Sequence, residues 1–521
     1  MRSISLTPAV NAILPRAIVP GIILAHLVIT IVLSNTLNIW YDEAYSLQTT
    51  QYDIGYALTR AINFEEQPPL YFMLLNLWRN INDSYVFARL FSVLCTTLTL
   101  IIFANISRTL VKDLHPGWLT AVVAFNPSIL WAATEIRCYA FVILISTLLC
   151  KLFGDAYLSD HPTIRIKWYY TMTAIVALYT FYFLGFLLVA NACALLLLKR
   201  WRAFRAYLFS MIIVAICFAP MIWMVTQQIV SNTTTAEVSV SFLQGLNWIG
   251  NMALSFITPG KRFLLNSPRQ LIFWISIVLI LSILFRKHNI IITSVTTAFL
   301  LIAPILWIFM FIILVGAHID ISDRHILFIY PPLILCVLFV IMTVTGKKGV
   351  MACFLIMLGL SAQTCIWGWP TGITKFPRTK WGEWDRVAAY IMEAEKQEQP
   401  ILVYRSEAVL PLGLYYSGKN ALIPLPKQAN VERYDLIGDG MLKDEGEITQ
   451  ILLHHLNDSQ NFWLITDTLT TYRGITFGHE LLLHAINHKY HIVSTKEFHG
   501  STVRFIQKKP PESILLRIIE H

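Results

Sequence analysis

The chain has 521 residues, 56% hydrophobic and 14% charged, with a formal net charge of +9 and a mean hydropathy of +0.59. Soluble globular chains carry about 25% charged residues, so this composition excludes a protein dissolved in water along its whole length. Residues 1–369 hold 23 Lys and Arg against 13 Asp and Glu, whereas residues 370–521 hold 17 against 18. The basic balance therefore belongs to a membrane region, 1–369, followed by a near-neutral soluble tail, 370–521. Because the cations sit at the ends of apolar runs rather than on one patch, nucleic acid is not an expected partner. All eight cysteines precede residue 370, and no Cys-x-x-Cys or Cys/His zinc spacing occurs.

A bilayer core takes about 20 apolar residues per helix. Eleven runs qualify as spans: 17–37, 86–107, 118–134, 138–156, 168–184, 186–198, 207–226, 269–285, 290–316, 325–345 and 349–367. The first is long and has no small-x-small cleavage site before Trp40, so it reads as an uncleaved span. With the N-terminus in the cytoplasm, 15 cations fall in short inner segments and 8 in outer ones. That asymmetry fixes the expected orientation. An odd number of spans then puts the tail outside, and the compact loops point to a bacterial inner membrane with a periplasmic C-terminal domain.

Under this topology ten of the 13 acidic residues of the membrane region face outward. Acidic residues contribute little to topology, so chemistry at the outer surface is one reason for the bias. No predicted span carries a central charge, which weakens an ion-coupled pump but leaves a lipid flippase open.

The first outer loop, 38–85, opens with Trp40-Tyr41-Asp42-Glu43-Ala44-Tyr45. Asp42 and Glu43 suit a general base for a hydroxyl, although from the residues alone an interfacial aromatic belt with a solvated acidic pair is the commoner arrangement. Farther on stands Phe64-Glu65-Glu66-Gln67-Pro68-Pro69-Leu70-Tyr71, where the prolines extend the chain and open a helix. The next outer turn reads Glu135-Ile136-Arg137-Cys138-Tyr139, and a later one Asp320-Ile321-Ser322-Asp323-Arg324-His325. Arginine beside carboxylate at two outer helix ends would grip a lipid phosphate, or form two local salt bridges. The outer stretch 227–268, with Trp248, Phe256 and Lys261-Arg262, reads as interfacial.

Taken in order, these motifs resemble the GT-C superfamily of membrane glycosyltransferases, in the branch with protein O-mannosyltransferases, the aminoarabinose transferase of lipid A and bacterial family 39 enzymes. Asp42-Glu43-Ala44-Tyr45 is similar to that family's Asp-Glu-Ala-Tyr, and Gln67-Pro68-Pro69-Leu70-Tyr71 to its His-Pro-Pro-Leu-Tyr, followed by Arg89-Leu90. Glu135-Ile136-Arg137-Cys138-Tyr139-Ala140 is similar to Glu-x-Arg-x-Tyr-Ala, and Arg324-His325 to an Arg-Tyr pair before a proline-bearing span. The resemblance implies a polytopic α-helical membrane protein with a C-terminal extracytoplasmic α/β domain. It also implies inverting transfer of a sugar from a polyprenyl-phosphate carrier to a glycan, lipid or protein acceptor. Asp42 and Glu43 would be catalytic. Tyr45, Glu66, Gln67, Tyr71, Arg89, Glu135, Arg137, Tyr139, Asp323 and Arg324 would bind substrate. Gln67 stands where the family has His, so no role of that His transfers. No cofactor is expected; a divalent cation, Mg or Mn, is left open. The alternatives are a lipid or polysaccharide transporter with the same spans, an O-antigen-ligase-like enzyme with a diphosphate donor and a different motif set, and an inactive scaffold on the same fold.

In the tail, 399–404 and 462–466 read as buried strands, 383–397 and 478–489 as amphipathic helices, and Val493 onward as strands. Trp384-Asp385-Arg386-Val387 resembles the start of the family's outer domain. Eight of the 14 histidines lie here, and His484 and His488 share a helix face, for which a surface helix rather than a metal site is the expectation.

Overall fold

A computed structural model describes residues 8–110, 114–232, 241–257, 294–316, 323–367, 380, 382–428, 441–442, 444–456, 459–472 and 475–510. Two units emerge. The membrane unit comprises Met1–Asn35, Thr50–Ile62 and Glu66–Phe376; the C-terminal unit comprises Thr36–Thr49, Asn63–Glu65 and Pro377–His521.

Apolar runs become helices because a helix satisfies its own backbone where no water is at hand. In chain order these are α1 (Pro8–Thr36), α2 (Tyr41–Thr49), α3 (Ile54–Asn63), α4 (Leu70–Arg79), α5 (Tyr85–Leu110), α6 (Gly117–Ala124) and α7 (Pro127–Ala133). There follow α8 (Tyr139–Phe153), α9 (Ile164–Thr180), α10 (Leu184–Leu197), α11 (Trp201–Asn232), α12 (Phe242–Ile257), α13 (Ser294–Gly316) and α14 (Tyr330–Trp367). Six described segments are long and apolar enough to cross a bilayer: Ala17–Thr36, Tyr85–Thr109, Tyr139–Leu158, Trp201–Thr226, Val295–Gly316 and Arg324–Met342.

The expected span 118–134 is instead two short helices. Asn126 caps α7 by accepting from the Ser128 N–H at 2.9 Å, and Pro127 takes the first helical position, so the sequence stops one helix and starts another. Between the expected spans 168–184 and 186–198 the chain turns tightly, with Phe181 extended between α9 and α10. The span 349–367 lies in α14 beyond Gly346, whose φ of 66° and ψ of −168° break the helical path. The expected span 269–285, the pair Lys261-Arg262 and Asp320 lie outside the described residues.

Several polar side chains inside the membrane unit bond one another or the backbone. His26 on α1 bonds the Ala124 carbonyl (2.8 Å) and the Thr96 hydroxyl (3.1 Å). Tyr170 and Tyr207 share a 3.0 Å bond, and Asn191 donates to Tyr170 at 2.9 Å.

The C-terminal unit contains α15 (Trp384–Ala394), β1 (Ile401–Tyr404), α16 (Val409–Gly413), β2 (Leu422–Leu425), α17 (Glu445–Leu456) and β3 (Asn461–Asp467). A small hairpin, β4 (Thr471–Tyr472) and β5 (Ile475–Thr476), precedes α18 (His479–Lys489), β6 (Tyr490–Phe498) and β7 (Ser501–Lys508). The main sheet runs β2-β1-β3-β7-β6, parallel over the first three strands and antiparallel over the rest. β1 is buried on both faces, as a continuous apolar run requires. Ile401 and Val403 pack with Trp384, Val387, Ile391 and Tyr41 on one side. Leu402 and Tyr404 pack with Ile448, Leu452, Leu482 and Ile486 on the other. The predicted strands and both predicted amphipathic helices are observed, with α17 and β2 in addition.

Candidate functional site

The Asp42-Glu43 motif is built inside the C-terminal unit. Asp42 and Glu43 occupy the first turn of α2, where the helix dipole favours negative charge. Successive helical residues diverge by about 100° at 3.6 residues per turn, so the two carboxylates leave the helix in different directions. Glu43 is fully buried, with one carboxylate oxygen 2.8 Å from the Lys380 ammonium. Lys380 is itself fixed by Asn38, whose Oδ1 accepts from the Lys380 N–H at 2.6 Å and whose Nδ2 donates to the Lys380 carbonyl at 3.3 Å. Asp42 is half-buried, and its carbonyl accepts from the Ser46 hydroxyl at 3.2 Å.

A second anchor flanks Asp42 on the other side. Tyr41 donates its hydroxyl to Asp467 at 2.7 Å and sets its ring edge-on to Trp384 at 5.5 Å. Burial, and after it the Asp467 charge, pushes the Tyr41 hydroxyl well above the ordinary tyrosine range, so it stays a donor. Asp467 also accepts from Arg405 at 3.1 Å, and Arg405 lies 3.2 Å from Glu407 and 5.5 Å over the Tyr41 ring. Ahead of the helix, the Ile39 N–H donates to the Tyr415 hydroxyl at 2.8 Å. Tyr45 meets Phe64 edge-on at 5.2 Å, and Thr49 donates to Glu65 at 2.9 Å. Lys380, Tyr415, Arg405 and Asp467 were invisible to sequence reasoning: they lie hundreds of residues from α2, and no spacing rule links them.

The remaining expected residues lie in the membrane unit. Glu66 turns the chain with φ of 52°, a left-handed value that a non-glycine residue adopts only where its surroundings enforce it. The turn is closed by the Gln67 N–H on the Ala61 carbonyl at 3.0 Å. The Gln67 side-chain oxygen accepts from the Cys138 thiol at 3.6 Å, which joins the Gln67–Tyr71 motif to the Glu135–Tyr139 turn. Tyr71 is buried with its ring edge-on to Phe72 and Phe91. Arg89 is fully buried and donates to the Ser34 carbonyl at 2.9 Å near the end of α1.

Glu135 is buried, and its carbonyl accepts from Ser92 at 2.6 Å, fixing the turn to α5. Arg137 is 7% exposed within that turn, and Tyr139 opens α8 stacked on Trp131 at 5.1 Å. Arg324 is half-buried in the short 3₁₀ helix Asp323–Ile329, which is tied to α8 by the Ser146 hydroxyl on the Phe328 carbonyl at 2.6 Å. The Asp323 side chain lies outside the description. The structure thus groups Asp42, Glu43 and Tyr45 in one unit, and Glu66, Gln67, Tyr71, Arg89, Glu135, Arg137, Tyr139 and Arg324 in the other. Among the described residues, one cluster has the ligand types and spacing to hold a metal, and it contains none of these.

No family model and no curated protein matches the sequence. Among solved structures, ArnT from Cupriavidus metallidurans in the apo state is similar over 94% of this chain and 97% of its own, with 13% identity and a TM-score of 0.52. ArnT from the same organism bound to undecaprenyl phosphate covers the same shares at 13% identity, with a TM-score of 0.47. The apo likeness shows the fold: the chain shares the helical ArnT architecture, with six described helices long and apolar enough to cross a membrane and a small C-terminal sheet domain.

Proposed function

We propose, starting from this GT-C fold, that the chain is an inverting glycosyltransferase that moves a sugar from a polyprenyl-phosphate carrier to an acceptor at the outer face of a bacterial inner membrane. The observation that carries the reading is the division of labour in the acidic pair. Glu43 is buried against Lys380, while Asp42, one residue away on the same first turn, stays half-exposed between two anchors. A carboxylate held in place on both sides suits a base that must meet a hydroxyl in one geometry.

In this reading Asp42 takes the proton of the acceptor hydroxyl as its oxygen attacks the anomeric carbon. The bond from that carbon to the phosphate oxygen breaks on the opposite face, so configuration inverts and polyprenyl phosphate leaves. Arg137 and Arg324 stabilise the leaving phosphate, a planar bidentate role that arginine fills better than lysine. Glu43 positions Asp42. Glu135, Tyr139, Glu66, Gln67, Tyr71, Arg89, Tyr45 and Asp323 shape and hold the binding surfaces. The N-terminus is cytoplasmic and the C-terminal unit periplasmic.

The test uses purified wild type and Asp42→Asn in nanodiscs, a panel of polyprenyl-phosphate sugars and a membrane extract as acceptor. Wild type releases polyprenyl phosphate and labels product; folded Asp42→Asn is slower by about 10²–10⁴-fold. Bound lipid with no release from any donor would instead favour a lipid transporter. Arg137→Ala is expected to lose about 10²–10³-fold in turnover while still binding carrier lipid.

A further inference from the structure

Two helices of the C-terminal unit, α17 and α18, pack against each other and bring Glu445, His484 and His488 together. One ligand atom from each lies within 4.8 Å of the others. His484 Nδ1 and a Glu445 carboxylate oxygen are 2.8 Å apart, and the two imidazoles stand at 90° with centroids 4.8 Å apart. We propose that this cluster is a binding site for a divalent transition-metal ion of the Zn²⁺ class, one that staples α17 to α18.

The ligand chemistry selects the ion. His484 and His488 are one helical turn apart, the i, i+4 spacing that lets two imidazoles reach one metal. Two imidazole nitrogens and one carboxylate oxygen are a borderline set suited to Zn²⁺, and a poor one for Mg²⁺ or Ca²⁺, which take oxygen ligands. Three protein ligands leave a fourth tetrahedral position for water. Metal bonds of about 2.0–2.2 Å put ligand atoms roughly 3.4 Å apart. All three side chains are exposed, so they can close that gap by rotation with the helices fixed.

A surface Glu–His ion pair would explain only part of the arrangement. It needs one imidazole, and in water it contributes little. His488 turns edge-on to His484 within reach of the same carboxylate, and beside it opens a cavity of about 220 Å³ lined by Glu445, Thr449, His488, Lys489 and Tyr490 together with apolar side chains. The site is independent of Asp42 and of the transferase reading.

The experiment uses full-length protein in nanodiscs, stripped of metal and dialysed against ZnCl₂, with bound zinc counted per chain and thermal unfolding followed in parallel. Wild type is expected to bind one ion more than the His484→Ala/His488→Ala double variant, and Zn²⁺ to raise the melting temperature of wild type only. Glu445→Gln, an exposed change that leaves the fold alone, should bind that ion more weakly. The pair His454→Ala/His455→Ala, on α17 but outside the cluster, should keep it. Equal zinc counts in wild type and the His484/His488 variant, or no zinc on either, overturn the proposal. Equal melting temperatures of the metal-free proteins exclude unfolding as the cause of a lost ion.

Discussion

Asp42 and Glu43 are neighbours of nearly equal chemistry, and their different burial separates their expected phenotypes. Asp42→Asn should leave stability close to wild type and slow turnover by about 10²–10⁴-fold. Glu43→Gln leaves the Lys380 ammonium without its carboxylate in a site where neither side chain is more than 10% exposed. Breaking a buried pair from one side costs about 3–5 kcal/mol, so urea unfolding of the C-terminal unit should shift by that order. Adding Lys380→Met to Glu43→Gln removes the stranded charge and should recover part of the loss. Equal stability of wild type and Glu43→Gln would mean that the pair anchors nothing. The acidic pair was legible in the sequence, whereas the short helix it opens reads there as loop. Which member is buried was not legible, because the deciding cation stands at the entrance to the tail and no local pattern points to it.

At the level of elements, periodicity and punctuation carried most of the reading. Buried strands in the tail showed as apolar runs, and α15 and α18 as amphipathic repeats. Asn126-Pro127 is a written stop and start inside an apolar stretch, and a hydropathy window averages over it. What elements do to their residues is less legible. His479 begins α18, where the helix dipole opposes a cation, and its ring is 7% exposed against Tyr404 at 4.7 Å. Burial pushes its imidazole below the ordinary value, against the pull of Asp467. The unfolded chain therefore binds a proton that the folded one refuses, over the range just below the ordinary imidazole pKa of about 6.5. The contribution is fully present above that value and is lost as pH falls toward the folded one. The melting temperature of wild type should drop as pH falls below about 6.5. That of His479→Phe, which keeps an aromatic ring and cannot charge, should drop less; parallel curves would assign the pH dependence to other groups.

For the whole molecule, hydropathy divides the chain near residue 370, whereas its contacts divide it at Pro377 and add Thr36–Thr49 and Asn63–Glu65 to the C-terminal unit. A composition window cannot register this, because two short segments of the expected first outer loop, one of them holding the nine-residue α2, carry the difference. The consequence is that residues 377–521 by themselves lack part of their own core. Without residues 36–49, Trp384 loses the Tyr41 ring, Asp467 loses a hydroxyl donor, Tyr415 loses the Ile39 N–H, and Lys380 loses both Glu43 and Asn38. Burying an aromatic side chain contributes about 1.5–3 kcal/mol, and a hydrogen bond to a charged group about 1.5–3 kcal/mol. Together these amount to roughly 3–6 kcal/mol, a large share of the 5–15 kcal/mol that holds an ordinary domain folded. A tail fragment of residues 377–521 should therefore unfold at markedly lower urea than the same fragment carrying residues 36–49 on a flexible Gly/Ser linker. Replacing Tyr41 by Ala in the linked segment should return most of the difference. If both fragments unfold at the same urea concentration, α2 is a passenger on the domain, and the geometry of Asp42 must be set from somewhere other than Lys380 and Asp467.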